Sequence, residues 1–439
     1  MRNILFWGAL LAPLSFYSCT DDDNNGNDNI LVEDIDGELS NEFYENLSWK
    51  VKARNISAVP LNLSGKEMKA VANNNLFANK VLAQLRSNDE NTMFSPISLE
   101  IALAMLDNGL YSPVQKEVKT ALGMQDFSME EINAFYTKIA ESLNSTTDTT
   151  SIFESQNSFW AQYGLKLRKN FVDVITDQYK ASVANLDFTN PNANDTIDAW
   201  ANEATHGLIP KLNLELKNTK AILANSCYFK ADWAEKMLVD YPITFTDGNG
   251  NTIKEAHGIS YGSERTMTYA ENDSYQAARL PYGNGTFCMD IVLPANGTST
   301  ADLLTKLDWN NLGLKDNNLV EFSMVKFKAE NIHKMLNKLK DVGMPSLKRA
   351  ALDKISDDLI LSDIQQNTFI EVDREGTKAA AVTTVLAKDG FNERLEEPKK
   401  FNVDRPFLFA IREQNTGVIL FMGEVVKPEI FTSPFDFFH

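Results

Sequence analysis

The chain has 439 residues, of which 43% are hydrophobic and 23% charged. This composition is typical of globular proteins rather than of disordered or membrane-spanning ones. Its 42 basic and 60 acidic residues give a net charge of −18. Because no segment is rich in Lys and Arg, we expect neither a nucleic-acid partner nor electrostatic attachment to an anionic membrane.

Residues 1–18 have the pattern of a secretory signal peptide: the basic Arg2, then an apolar run, residues 4–14, that is too short to span a bilayer. Cys19 follows Phe-Tyr-Ser, which resembles a bacterial lipobox. We therefore expect cleavage before Cys19 and lipidation of its thiol. Plain secretion, with Cys19 as an incidental residue, is the alternative.

Residues 19–41 are rich in Asp and Asn and have hardly an aliphatic side chain before Ile30, which predicts a flexible, solvated tether. Their first residues after Cys19 resemble the acidic export tag of some Gram-negative surface lipoproteins. The expected location is therefore the outer-membrane cell surface, with the periplasm or secretion as alternatives. The lipid anchor would be the only membrane contact.

No repeat, low-complexity tract or internal linker divides residues 42–439, so a single domain is expected. Apolar side chains at helical spacing predict a long helix that ends near Leu85 and further helices over residues 129–143, 197–207 and 331–342.

Local signals mark one more helix and several strands. Ser95 followed by Pro96 is a strong helix start, since serine caps the free N–H groups and proline suits the first helical position. Residues 225–233 are predicted to form a strand. The Asn-Gly turns at residues 247–250 and 282–285 predict β-hairpins, and no P-loop or GxGxxG pattern suggests that their glycines bind phosphate.

Beyond Cys19 the chain has two cysteines, Cys227 and Cys288, each in a strand-like apolar run. Two cysteines can pair in an oxidising compartment, but buried free thiols are the favoured interpretation.

The minimum motifs of a metal site are missing. The chain has no pair of CxxC motifs and no HExxH sequence around any of its four histidines, His206, His257, His333 and His439. We predict no catalytic residue, no metal and no cofactor, and we expect that the protein is not an enzyme. A catalytic dyad assembled from distant residues remains the alternative.

Near the C-terminus, small side chains occupy every second position from Thr377 to Thr383. Strand side chains alternate between faces, so these residues would form one slim face of a strand. The only charge in the run, Lys378, falls on the other face, and no proline interrupts the ladder. Such a strand can enter the middle of a sheet; a short Ala-rich helix or an ordinary strand is the alternative.

The motifs around this segment resemble those of the serpins. The sequence Glu-Gly-Thr-Lys-Ala-Ala-Ala at residues 375–381, a polar stretch, and the apolar runs 405–411 and 413–428 match the serpin C-terminal signature. Phe-Ser-Pro-Ile-Ser at residues 94–98 and the strand at residues 225–233 resemble two further serpin motifs.

The resemblance spans residues 42–428 and implies the α+β serpin fold: a large central, mainly antiparallel sheet, additional sheets, about nine helices and an exposed reactive-centre loop. In this family a target protease attacks the loop and forms an acyl-enzyme. Residues 377–387 would then insert into the sheet as a new strand and trap the enzyme.

The resemblance thus implies a monomeric suicide-substrate inhibitor of serine proteases, with cysteine proteases as a further target class. The alternative is a non-inhibitory serpin that acts as a binding or scaffold protein at the cell surface. Bulky or charged hinge residues would favour the alternative, whereas this chain has small ones.

The resemblance also assigns a hinge, a flexible glycine followed by small side chains. Its residues are Gly376, Thr377, Ala379, Ala380 and Ala381. Most serpins have an acidic residue two positions before the hinge glycine, but this chain has Arg374. We therefore expect that the ion pair at the top of the sheet is rearranged.

A second set of residues would form the cluster that parts when the sheet opens: Ser95, Ser98, Asn225 and Gln366. Many relatives have a histidine at the position of Gln366. The amide still donates and accepts hydrogen bonds, but the pH sensitivity of that histidine is expected to be missing.

Counting the family's spacing from Gly376 places the reactive bond at Gly390–Phe391, although counting back from the C-terminal signature places it a few residues later. Cleavage after Gly390 or Ala387 would suit an elastase-like protease and cleavage after Phe391 a chymotrypsin-like one. Lys388 and Arg394 are the trypsin-like alternatives.

Overall fold

The computed structural model describes residues 29–31, 61–145, 151–357, 359–361, 364–377 and 397–432. Several predictions fall outside these ranges and stay predictions. They concern the signal peptide and the lipidation site, three hinge residues and the reactive-bond candidates: Cys19, Ala379, Ala380, Ala381, Lys388, Gly390, Phe391 and Arg394.

Eight α-helices lie in the described ranges: α1 Gly65–Leu85, α2 Pro96–Asp107, α3 Val114–Ala121, α4 Met129–Ser145, α5 Lys169–Asp177, α6 Asn192–Ala204, α7 Thr300–Leu304 and α8 Leu336–Asp341. A 3-10 helix, Leu347–Arg349, follows α8.

The first two helices begin at the capping residues that the sequence offers. Ser64 and Glu67 form a reciprocal capping box at the start of α1. At the start of α2 the Ser95 hydroxyl accepts a hydrogen bond from the Ser98 amide, and Pro96 occupies the first turn, as predicted. Every residue of α2 is buried, so this helix lies in the interior of the molecule.

The strands are β1 Asn29–Leu31, β2 Thr92–Phe94, β3 Ser151–Gln162, β4 Lys166–Arg168, β5 Ser182–Leu186, β6 Ala221–Asp232, β7 Val239–Thr246, β8 Thr252–Ser260, β9 Arg265–Glu271, β10 Tyr275–Pro281, β11 Phe287–Pro294, β12 Lys315–Val325, β13 Phe327–Lys334, β14 Gln365–Val372, β15 Gly376–Thr377, β16 Lys399–Asn402, β17 Phe407–Glu413 and β18 Ile419–Val425.

These strands form three sheets. A six-stranded sheet has the order β13-β14-β15-β6-β3-β5, and its neighbours are antiparallel except for β3 and β5. A ten-stranded sheet follows the path β2-β18-β17-β11-β10-β9-β12-β8-β7, with β16 parallel to β12. The third pairs β1 with β4, so three residues of the predicted tether contact the folded domain. The predicted α+β class with a large antiparallel sheet is confirmed.

The helix predicted over residues 331–342 is wrong in its first part. Residues 331–334 belong to β13, which pairs residue by residue with β14 from Phe327↔Val372 to Lys334↔Gln365. Only Leu336–Asp341 is helical. Backbone hydrogen bonds to a neighbouring strand override helical spacing when tertiary contacts supply the partner.

Helix α2 lies between the two large sheets, in contact with β6 of one and β18 of the other. The ring of Phe229 on β6 packs against Phe287 of β11 and Phe421 of β18, with centroids 5.6 and 6.4 Å apart. On the opposite face of the six-stranded sheet, α6 packs Trp200 against Trp160 of β3. The six-stranded sheet is therefore covered on both faces.

Across the ranges that the structure describes, no helix is long and apolar enough to cross a membrane. Cys227 lies on β6 and Cys288 on β11, and both are free thiols. The prediction of unpaired cysteines is confirmed.

Candidate functional site

The candidate site is a gap in the six-stranded sheet between β14 and β6. On one side β6 pairs with β3 along its length, from Ser151↔Ala231 to Ala161↔Ala221. On the other side β6 pairs with the two-residue strand β15, through Gly376↔Asp232 and Thr377↔Ala231. Below Thr377, no backbone pairing joins β14 to β6 within the described strands. The facing edges of two strands are therefore bridged at one end.

The hinge enters this gap at its upper end. Gly376 has a φ of +151°, and a Cβ atom there would lie 2.2 Å from the carbonyl oxygen of Ala231, so no other residue fits without a backbone shift. Thr377 pairs with both Ala231 and Val372 and is 2% exposed. The hydroxyl of Thr377 lies 2.6 Å from that of Tyr282, which is also buried.

A tight turn precedes the hinge and is held from both directions. The Asp373 carboxylate accepts hydrogen bonds from the amides of Glu375 and Gly376, at 2.8 and 3.2 Å. The Trp233 indole donates to the Asp373 carbonyl at 2.9 Å, and the Trp233 amide donates to the Glu375 carbonyl at 3.0 Å. These contacts fix where the hinge can begin.

Arg374 and Glu375, the two residues before the hinge glycine, both form ion pairs beside this turn. Glu375 pairs with Lys236, which follows β6. The Arg374 guanidinium turns toward Asp240 on β7, with 3.3 Å between Nη1 and Oδ2, and lies 3.5 Å from Glu375. Glu375 thus supplies the carboxylate that pairs with Lys236 at the upper end of the gap.

The structure brings the four residues of the predicted sheet-opening cluster together at the start of α2. The Ser95 amide donates to Oε1 of Gln366 at 2.9 Å, and Nε2 of Gln366 donates to the Ser95 carbonyl at 2.9 Å. The Ser98 hydroxyl donates to Oδ1 of Asn225. Gln366 belongs to β14 and Asn225 to β6, so α2 connects the two strands beneath the gap.

Two residues near this site were missed from the sequence. His333 lies on β13 directly opposite Gln366, and its Nε2 donates to the carbonyl of Met93 at 2.9 Å. Burial lowers the pKa of His333, so the neutral ring is favoured. A histidine therefore lies beside the cluster although it is absent from the expected position. Tyr282 was assigned only to a hairpin turn.

The outer face of the gap is crossed by residues 205–219, which follow α6 and are called the crossing segment below. At one end His206 donates to Glu154 of β3 at 2.8 Å, and its ring lies 4.4 Å from that of Tyr228 on β6. Farther along, Gln365 of β14 donates to the Leu212 carbonyl at 2.6 Å. The crossing segment thus connects both sides of the gap.

No cluster of three His, Cys, Asp or Glu side chains that could hold a metal ion occurs among the residues the structure describes. Burial raises the pKa of Cys227, whose thiol lies near Ser155 and Ser95, to about 11. This thiol therefore stays protonated at neutral pH and is a poor nucleophile.

Comparisons with known proteins agree with this architecture. A family model described as Serpin (serine protease inhibitor) matches residues 72–428. An uncharacterized serpin-like protein of Thermococcus kodakarensis is 31% identical over 386 residues, which cover 83% of this chain and 87% of that protein. The leukocyte elastase inhibitor of Xenopus laevis is 28% identical, over 77% of this chain and 93% of that protein.

Among solved structures, the native state of the thermophilic serpin tengpin superposes with a TM-score of 0.75 at 28% sequence identity. The match covers 86% of this chain and 97% of tengpin. The family model covers most of the chain, and the gap, hinge and cluster lie within it. The chain therefore belongs to the serpin family, whose members are mostly protease inhibitors and not catalytic enzymes.

Proposed function

We propose that this protein is a suicide-substrate inhibitor of serine endopeptidases. The target's nucleophile would attack a peptide bond of the reactive-centre loop, form an acyl-enzyme and release the chain beyond that bond. The loop on the acyl side would insert between β6 and β14 before water hydrolyses the ester. Inhibition would then depend on insertion being faster than deacylation.

The observation that carries this proposal is the short strand β15. Gly376 and Thr377 already pair with β6 and β14 in the uncleaved chain. Further insertion needs no new starting point, because each following residue extends an existing ladder. β6 continues for ten residues below Ala231, down to Ala221, and the proposed insertion segment ends at residue 387. Continuing the observed register places residue 387 opposite Ala221.

The alternation of side chains supports the same proposal. Thr377 faces the interior, so residues 379, 381 and 383 would face the interior after insertion. All of them are small, and the charged Lys378 would face outward. A strand that brought bulky or charged side chains toward α2 would meet a closely packed core.

We propose Gly390–Phe391 as the reactive bond, with Lys388 and Arg394 as alternatives. The similarity to a leukocyte elastase inhibitor favours an elastase-like target, which would cleave after the small Gly390. Cleavage after Phe391 would suit a chymotrypsin-like pocket. Cysteine proteases form acyl-enzymes as well and are a further target class.

For location we propose export and attachment to the outer-membrane cell surface through a lipid on Cys19, with the domain acting as a monomer. The lipobox-like sequence and the acidic stretch after it support this. Incorporation of labelled palmitate into the full chain, and its loss in Cys19→Ala, is the expected result. Unlabelled wild-type protein in the medium would refute the anchor.

The inhibitory function is tested by incubating residues 20–439, which keep strand β1, with elastase-like, chymotrypsin-like, trypsin-like and subtilisin-like serine proteases. Denaturing gels should show a covalent complex with at least one of them, and the mass of the released C-terminal peptide identifies the reactive bond. Mutation of the protease's catalytic serine to alanine should abolish the complex, because no acyl-enzyme can form.

Cleavage within residues 388–396 without a complex for any protease would contradict the proposal. The non-inhibitory alternative, a binding or scaffold protein at the cell surface, would then be favoured. A gain in thermal stability after such a cut would still show that the cleaved loop inserts.

A further inference from the structure

Tyr282 lies at the point where the hinge becomes a strand, and the mechanism described so far assigns it no role. It follows β10, and its ring is fully buried. The ring stacks on the indole of Trp233, with centroids 4.4 Å and planes 8° apart. Its hydroxyl points to the Thr377 hydroxyl, 2.6 Å away.

This stack connects Tyr282 to the turn before the hinge. The Trp233 indole donates to the Asp373 carbonyl, and the Trp233 amide donates to the Glu375 carbonyl. One aromatic pair therefore contacts the chain immediately before Gly376 through Trp233 and immediately after it through Tyr282. The hinge glycine is held between two fixed points.

The hydrogen bond between the hydroxyls depends on the hinge being inserted. Both groups are buried, and a buried hydroxyl without a partner is destabilising. If Thr377 left the sheet, the Tyr282 hydroxyl would lose the partner that the structure gives it. Burial raises the pKa of Tyr282 well above its ordinary value, so the hydroxyl keeps its proton and can donate at all relevant pH values.

We propose that Tyr282 is a positioning residue that holds Thr377 in the sheet of the uncleaved protein, so that loop insertion starts from a strand whose first residue is already in place. The inference rests on the proposed inhibitory function in one respect: insertion must compete with hydrolysis of an acyl-enzyme. Its structural part, the preference of the hinge for the inserted position, stands without a protease.

A double-mutant cycle with Tyr282→Phe and Thr377→Val tests this. Each single change leaves one buried hydroxyl unpaired, whereas the double change replaces both partners by apolar groups of similar shape. We expect hydrogen exchange at the Thr377 amide to rise about tenfold in each single variant and to return near the wild-type rate in the double variant. The stack on Trp233 is kept, since Phe retains the ring.

Inhibition should follow the same pattern. Each single variant should consume at least about twice as many inhibitor molecules per protease trapped, because insertion begins later relative to hydrolysis, and the double variant should recover. Tyr275→Phe is the matched control: it removes a hydroxyl that donates to the Leu312 carbonyl, away from the hinge, and should change neither quantity.

Additive effects of the two single changes, or unchanged exchange in both, would overturn the role of Tyr282. A wild-type protein that forms no complex with any protease would instead refute the inhibitory function. The exchange cycle would then still decide whether Tyr282 holds the hinge.

Discussion

The two ends of the gap between β6 and β14 are closed in different ways. At the upper end the connection is backbone: β15 pairs with a strand on each side. At the lower end it is made of side chains, with α2 bound to β14 through Gln366 and to β6 through Asn225. Backbone pairing can be extended residue by residue without breaking what exists, whereas side-chain bridges have a fixed reach.

This difference locates the resistance to insertion. Neighbouring strands lie about 4.8 Å apart, so a new strand must separate β6 and β14 by roughly that distance more. Hydrogen bonds of 2.6 to 2.9 Å, such as those of Gln366 to Ser95 and of Gln365 to Leu212, do not tolerate such a movement unless α2 or the crossing segment moves with one strand. The upper end therefore promotes insertion and the lower end opposes it.

The largest effect should come from breaking the upper end. Thr377→Arg would have to bury a guanidinium on the interior face, so we expect complex formation to fall by about two orders of magnitude and the protein to be cleaved as a substrate. Lys378→Arg, at a position that side-chain alternation predicts to face outward after insertion, is the control and should keep inhibition. Quantified complex bands on denaturing gels measure both, and undiminished complex with Thr377→Arg would refute insertion.

A second effect concerns α2, which connects the lower end. Burial raises the pKa of Glu100 to about 8 from 4.5, while a hydrogen bond from Asn74 opposes the shift. The folded chain binds this proton more tightly than the unfolded chain. The contribution of this bound proton to the free energy of unfolding is therefore fully present below pH 4.5. It is lost as the pH rises toward 8, which lowers the free energy of unfolding by about 2 to 4 kcal/mol.

Urea unfolding at pH 5 and pH 8 measures this loss, and Glu100→Gln should make the two values more similar. Glu141→Gln, an exposed residue of α4, should leave the difference between them unchanged. An equal pH dependence in wild type and Glu100→Gln would show that this carboxyl does not limit the stability of α2.

Breaking the lower end should have a smaller effect than breaking the upper end. We expect it to lower the stability of the uncleaved protein rather than the yield of complex. Asn225→Ala leaves the Ser98 hydroxyl and Oδ1 of Asn157 without their partner and should lower the stability of the uncleaved protein by about 1 to 3 kcal/mol. It should not reduce the yield of complex. Ser226→Ala is the matched control, because no hydrogen-bond partner of that hydroxyl is found among the described residues.

Denaturant midpoints measure the stability of both variants, and the number of inhibitor molecules consumed per protease trapped measures their inhibition. A lower yield of complex with Asn225→Ala would mean that the cluster assists insertion.

The smallest effect is expected at the outer face. Gln365→Ala removes the hydrogen bond to the Leu212 carbonyl and should lower stability by about 0.5 to 1.5 kcal/mol while leaving inhibition intact or slightly more efficient. Lys211→Ala, an exposed neighbour in the crossing segment, should change neither. A less efficient Gln365→Ala inhibitor would show that the crossing segment assists insertion.

Several features of both ends of the gap were predicted from the sequence. The alternating small residues predicted a strand that could enter a sheet, the serpin resemblance assigned Gly376 and Thr377 to the hinge, and Thr377 does lie in the sheet. Ser95 was predicted from its capping position before Pro96, and the serpin resemblance grouped it with nearby Ser98 and with the distant Asn225 and Gln366, which the structure brings together. These predictions depend on local patterns or on motifs that keep their order along the chain.

Other features depend on contacts between distant segments. His333 lies beside the cluster because β13 pairs with β14, yet helical spacing led to a helix across part of β13. The alternation of Phe327, Ala329 and their polar neighbours was the signal that favoured a strand. Tyr282 meets Thr377 across 95 residues of chain, and no local pattern indicates such a pair.

From the sequence alone, local patterns predicted the helix start at Ser95 and a slim strand from Thr377 onward, because capping and side-chain alternation act over a few residues. The motif resemblance implied the fold class, the family and the hinge. Only the tertiary structure decided which strands border the gap, that Thr377 is already inserted, and that Tyr282, His333 and the crossing segment surround it. These depend on sheet order and register, which arise from packing among segments far apart in the chain.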